Sequence, residues 1–238
     1  VVYCRPLIKN VKLLENRNFM TLNNKRFAIL LSGCGYLDGS EVSESVLAML
    51  HIDKLDIEYD VFAFDQDQDA VVDHISKKEV NLTRNMMSEA CRISRNIKDA
   101  KTLNPQKYHA LVMPGGMGVA KSFSNLASAG NEFEVKPEVA QIISEFVSLE
   151  KPIGAICISP AIVAKVLKNS GYKPLVTLGD ESEILEAIEV EQELCNVDDI
   201  VVDNVNKIVT TPAYMIDGRI SEVSAGIGKL ILKLQEMC

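Results

Sequence analysis

Short apolar runs that stop abruptly at small, chemically unusual residues set the strongest constraint on this chain. Residues 26–31 (RFAILL) end at SGCG, residues 110–113 (ALVM) end at PGGMG, and residues 152–157 (PIGAIC) run straight into ISP. Runs this short and this apolar suit strands buried on both faces. Helical patterns alternate with them. Val42, Val46, Leu47, Met49 and Leu50 mark one helix, opened by Asp38 as N-cap with Glu41 three residues on. Further helices are expected over 83–97, 136–149, from Cys157 to Val166, over 183–189 and over 219–234. Further strands are expected over 57–64, 175–178, 200–202 and 207–211, with a small hairpin near 70–80 in the polar stretch 65–82. Strands alternating with helices of this length imply right-handed crossovers and a largely parallel sheet, an α/β sandwich.

Composition agrees. In 238 residues, 47% are apolar, Trp is absent and only 5% are aromatic, so Ile, Leu, Val, Ala and Met must build the core. No Pro/Gly/Ser linker divides the chain after residue 26. The reading is a basic N-terminal extension over 1–25 and one domain over 26–238. The net charge of -8 is uneven: Arg5, Lys9, Lys12, Arg17, Lys25 and Arg26 face only Glu15, so the remainder is strongly acidic. An acidic body repels phosphate backbones and anionic bilayers, which excludes nucleic acid and membranes as expected partners. No run approaches the ~18 apolar residues needed to span a bilayer. Six cysteines without a CxxC pair point to a reducing compartment, and the cytoplasm is the expected location. The alternative is an organelle such as the mitochondrion, if residues 1–19, ahead of Met20, are a targeting remnant.

In such sheets ligands bind beyond the carboxyl ends of the strands, so SGCGYLDGSE, PGGMG and CISP should meet on one edge. Cys157 sits at a strand-to-helix turn with small neighbours at Ala155 and Ser159, the setting of a nucleophile elbow. The helix N-terminus there favours a thiolate and lowers the thiol pKa. Cys157 is equally readable as a small apolar residue closing a core strand. The PGGMG loop offers the Gly116 N–H which, paired with that of Ile158, makes a two-donor oxyanion hole. It is also readable as an ordinary turn. Glu41 either caps its helix or, held protonated by burial, moves protons beside the sulfur. Gly33, Cys34, Gly35 and Gly115 are candidate pocket residues, and His74 is the one histidine that could join as a third member. No metal site is expected: Asp65, Asp67 and Asp69 imitate a calcium loop, but Ala70 and Ser76 occupy the positions that require Gly and Glu.

Five ordered segments, SGCGYLDGSE, TRNMMSEACRISR, PGGMGVAKSFSN, CISPA and DNVNKIVTTPAYM, resemble the ElbB-like (enhancing lycopene biosynthesis) proteins. That family lies in the class I glutamine-amidotransferase-like superfamily, together with PfpI-type proteases. The resemblance implies a flavodoxin-like three-layer α/β/α sandwich, usually a homodimer, with Cys157 as the elbow cysteine, Glu41 as the acid that contacts it, and Gly116 and Ile158 as oxyanion donors. The histidine of proteases and glutaminases has no counterpart here, which argues against both activities. Cysteine plus glutamate fits cofactor-free glyoxalase chemistry, in which glyoxal or methylglyoxal becomes a 2-hydroxy acid through a Cys157 hemithioacetal, without metal or glutathione. The alternatives are a cysteine redox sensor and a ligand- or partner-binding module linked to isoprenoid metabolism.

Overall fold

Strand β1 (Arg26–Leu30) is followed by helix α1 (Val42–Asp53), strand β2 (Glu58–Ala63), the hairpin β3 (Val72–Asp73) and β4 (Lys78–Glu79), helix α2 (Met86–Ser94) and strand β5 (Lys98–Asp99). Next come β6 (Ala110–Met113), α3 (Met117–Ser122), α4 (Leu126–Ala129), α5 (Pro137–Ser148), β7 (Ile153–Ile156) and α6 (Ser159–Asn169). The chain closes with β8 (Leu175–Val176), α7 (Glu183–Ala187), β9 (Glu191–Gln192), β10 (Val201–Asp203), β11 (Ile208–Thr211) and α8 (Ile220–Met237). This computed structural model describes residues 25–238, so the extension expected over 1–25 lies, apart from Lys25, outside the described residues.

Seven strands form the main sheet in the order β10-β11-β7-β6-β1-β2-β5, parallel except where β10 pairs antiparallel with β11 at one edge. The central runs are buried throughout, as continuous apolar strands covered on both faces must be. Helices α1, α2 and α8 pack on one face and α3, α5 and α6 on the other, giving the three-layer sandwich that the alternation implies. The core is aliphatic, with Phe27, Phe62, Phe64, Phe123, Phe133 and Phe146 fully buried among Ile, Leu and Val. Among the described residues no helix is long and apolar enough to cross a membrane.

Three local expectations change. The helix expected over 83–97 shortens to α2: Asn85 caps it by accepting the Ser88 N–H at 2.9 Å, and Arg95, at φ 64°, turns the chain out into the edge strand β5. Leu175–Val176 does not enter the main sheet but forms a separate parallel pair with β9. Asp38 does not cap α1. Its Oδ2 accepts the Val72 N–H at 2.7 Å, while Glu41 itself is the N-cap and accepts the Glu44 N–H at 2.6 Å.

The cap thus lies three residues further on than expected, and the buried face of α1 differs from the apolar stripe in the sequence. The face turned to the sheet holds Glu44, Ser45, Ala48, Met49 and Ile52, and the apolar positions Val42, Val46 and Leu50 look outward.

Candidate functional site

Strands β1, β6 and β7 are consecutive neighbours in the sheet and run the same way, so the loops leaving their carboxyl ends lie side by side. Cys157 is the first residue beyond β7, with φ 62° and only 8% exposure. A side chain in this left-handed region costs on the order of 1 kcal/mol or more, a strain that the surrounding contacts must over-determine. Two of those contacts are firm. The Cys157 N–H donates to Thr211 O at 3.0 Å, and the buried Ser159 hydroxyl donates to Pro114 O at 2.8 Å, tying the start of α6 to the Gly-rich loop.

That loop packs directly over the sulfur. A Cβ on Gly115 would lie 2.4 Å from Cys157 Cβ and 2.9 Å from its Sγ, so nothing larger than glycine fits. Gly116 has φ 99°, a conformation that glycine adopts without penalty, and this turns its amide toward the sulfur. The N–H groups of Gly116 and Ile158 both face Cys157 and favour negative charge there. The geometry thus brings together the two amides expected from the sequence.

The carboxyl beside the sulfur belongs to Glu44, one helical turn beyond Glu41. Glu44 is completely buried; its Oε2 accepts the Gly115 N–H at 2.8 Å, and its carboxyl interacts with the Cys157 thiol. Oε1, equally buried, holds no well-aligned hydrogen bond, although the Tyr214 amide also faces the carboxyl. Glu41, expected to contact the cysteine, instead spends its oxygens on the Glu44 N–H and, at 3.3 Å, the Ser43 hydroxyl. The physical reason is the cap: with Glu41 at the N-cap, residue 44 is the first whose side chain turns inward.

The sequence did carry a signal for Glu44. It lies four and eight residues before Ala48 and Ile52, on the stripe that faces the core.

Electrostatics modify the expectation of an activated thiol. Burial, followed by the Glu44 charge, pushes the Cys157 thiol well up from its ordinary value, against the opposing pull of the two amides. Burial, followed by the Glu41 charge, pushes Glu44 up to about 8. The helix N-terminus is therefore outweighed by desolvation. At neutral pH the resting pair is a neutral thiol beside a largely protonated acid, and only the ionised fraction of Glu44 can take the thiol proton.

The remaining candidates sit further along the rim. Gly33 packs against Gln68 and Gly39, and Gly35 against His74. Cys34 is half-buried, with its thiol pushed up by burial and by Glu89. His74 contacts Gly35, Leu37 and Asp38 rather than Cys157. Among the described residues no group of three or more His, Cys, Asp or Glu could hold a metal ion.

A strained cysteine on a strand-to-helix turn of a parallel three-layer sandwich, with an acid from the first helix beside it, defines a class I glutamine-amidotransferase-like domain. The chain is 34% identical over 229 residues to the ES1 protein homolog, mitochondrial, of Rattus norvegicus, covering 89% of this chain and 84% of that protein. It is also 34% identical to the Glutamine amidotransferase-like class 1 domain-containing protein 3, mitochondrial, of Homo sapiens, covering 89% and 83%. The crystal structure of an isoprenoid biosynthesis protein with amidotransferase-like domain from Ehrlichia chaffeensis superposes with a TM-score of 0.85 at 37% identity, covering 90% of this chain and 99% of that one. No protein-family model matches the chain. The chain belongs to the ElbB-like family.

These relatives correct one expectation. Three of them, from rat, human and Danio rerio, carry the word mitochondrial in their names, which overturns the cytoplasmic assignment. Low cysteine pairing reports a reducing environment, and the cytoplasm is not the only such compartment.

Proposed function

We propose that Cys157 is the reactive centre of this protein and that its first chemistry is with small oxidants, making it a redox-sensing cysteine. The observation that carries this reading is the crowding of polar groups around one nearly closed-off sulfur: the amides of Gly116 and Ile158 as donors, and the Glu44 carboxyl as the group that receives its proton. With Gly115 packed on the sulfur, a two-atom peroxide needs far less room than a dicarbonyl that must remain attached. The ionised fraction of Glu44 takes the thiol proton. The thiolate then attacks one peroxide oxygen and breaks the O–O bond, giving the sulfenic acid and water. A second peroxide gives the sulfinic acid and a second water, and its anion is held by the two amides and by Glu44, which now carries the thiol's proton.

Intact mass after mild peroxide tests this, with peptide mapping of each cysteine. Selective addition of oxygen at Cys157 is expected. Oxidation no faster there than at Cys91 or Cys195 removes the reading.

A second reading, glyoxalase chemistry, is favoured by one observation: Glu44 near 8 lies close to the value that suits a general acid–base at neutral pH. Here Glu44 takes the role first expected of Glu41, moving the proton between the two carbons of a Cys157 hemithioacetal before water releases the hydroxy acid. Lactate formed from methylglyoxal without glutathione, and lost in Cys157→Ser, is the discriminating result. Similarity to the Ehrlichia isoprenoid biosynthesis protein supports a link to isoprenoid metabolism, and the relatives' names support a mitochondrial setting. The outward stripe Val42, Val46 and Leu50 on α1 supports pairing into a homodimer. A Val46→Glu variant that remains associated in sedimentation counts against that surface.

A further inference from the structure

A second group of buried polar atoms lies one loop away from Cys157. Asp38 is 1% exposed, and while its Oδ2 is satisfied by Val72, its Oδ1 is fully buried without a partner. His74 Nε2 stands 3.8 Å from that oxygen, too far for a hydrogen bond. Nε2 instead accepts the Leu37 N–H at 3.4 Å, and Nδ1, 3.1 Å from Val72 O, carries the ring proton. Asp38 and Tyr36 face the ring from the loop, Tyr36 edge-on with centroids 5.4 Å apart, and Asp73 faces it from β3.

These contacts define two states. A neutral imidazole offers Nε2 as an acceptor and keeps Leu37. An imidazolium has a proton on Nε2, can no longer accept from Leu37, and finds an unfilled acceptor, Asp38 Oδ1, about 1 Å beyond the length of a charge-assisted hydrogen bond.

We propose that His74 is a positioning residue that exchanges Leu37 for Asp38 as it gains a proton, setting the 32–41 loop in one of two arrangements. Three backbone bonds carry that loop to the site. Met117 N–H donates to Tyr36 O at 2.8 Å, Gly118 N–H to Gly39 O at 2.9 Å, and Glu41 N–H to Gly115 O at 3.0 Å. They hold the segment whose Gly115 and Gly116 amides face Glu44 and Cys157. Movement at Leu37 and Asp38 therefore reaches the donors around the sulfur. Histidine changes charge between about pH 5 and 8, so acidification draws the β3–β4 hairpin onto the loop and resets those donors. The clasp stands without any assumption about chemistry at Cys157; only its consequence rests on that cysteine being the reactive centre.

Two measurements on the full chain test it. In NMR spectra at low pH, the proton on His74 Nε2 should be protected from exchange with water in the wild type but not in Asp38→Asn, whose amide oxygen still accepts from Val72 but carries no charge. Equal exchange in the two proteins overturns the clasp. In iodoacetamide labelling of Cys157, His74→Gln imitates the neutral state by accepting from Leu37, and His74→Lys imitates the charged state by donating to Asp38. After division by the thiolate fraction, the wild-type rate should move several-fold from the Gln-like value to the Lys-like value as the pH falls through the imidazole range. Superimposable profiles for all three proteins overturn the coupling. Inertness of Cys157 toward peroxide would leave both readouts intact, so the two proposals fall separately.

Discussion

Glu44 reaches from the first turn of α1 to take the Gly115 N–H at 2.8 Å, and in doing so places an acid and a glycine together against Cys157. The bond joins the helix that follows β1 to the loop after β6, and both close over the end of β7. Stability, acidity and access at the sulfur therefore depend on the same few atoms.

Replacing Glu44 with Gln should flatten the pH dependence of stability. The folded-state pKa of Glu44 is raised from 4.5 to about 8, so its contribution favours folding below the unfolded value and is lost as the pH climbs through that window. Each pH unit inside the window costs the wild type on the order of 1 kcal/mol relative to the variant. Urea denaturation at pH 5 and pH 8 should show the gap between the two proteins shifting toward the variant at the higher pH. Parallel curves would contradict the buried, protonated acid.

Gly115→Ala should destabilise the protein by about 1–3 kcal/mol, because the new methyl overlaps Cys157 Cβ at 2.4 Å. It should also slow labelling of Cys157 by a small alkylating reagent much more than labelling of Cys91. A variant as stable and as reactive as the wild type would show that the loop can yield, and that the sulfur is less confined than described.

Glu41→Ala separates the two acids. Loss of the cap should cost about 1 kcal/mol in thermal or denaturant unfolding. Because the Glu41 charge helps to raise Glu44, the apparent pKa of the Glu44–Cys157 pair should fall, with Cys157 still labelled. Glu44→Gln should instead abolish that step in the profile. If the effects were reversed, Glu41 would be the acid that serves the cysteine.

The parallel sandwich was legible because each central strand is an apolar run with an abrupt end. The meeting of SGCG, PGGMG and CISP followed from where parallel strands put their carboxyl ends. Cys157, Gly116 and Ile158 could be placed that way because each lies within a residue or two of a strand terminus. Glu44 could not, since its orientation depends on which residue caps α1. Asp38 has the better capping chemistry but is drawn off by Val72, a contact 34 positions away that no local pattern encodes. The same distant contact misdirected the apolar stripe. Val42, Val46 and Leu50 look like a core face, yet the helix is turned so that an acid and a serine go inward. The acidity of Cys157 was also out of reach, because helix polarity can be read from order along the chain but depth of burial cannot.

The segments that surround Cys157 belong to strands adjacent in the sheet but far apart in the chain, with β2, β5 and the hairpin intervening between β1 and β6. Such pairings are slow to form, because long stretches of chain must first be gathered. An unfolded or partly threaded polypeptide thus carries an ordinary, unguarded thiol at position 157, without its acid or its amides. Whatever the cysteine does, it acquires that capacity only upon completion of the sheet, so its behaviour doubles as a report that the molecule has finished folding.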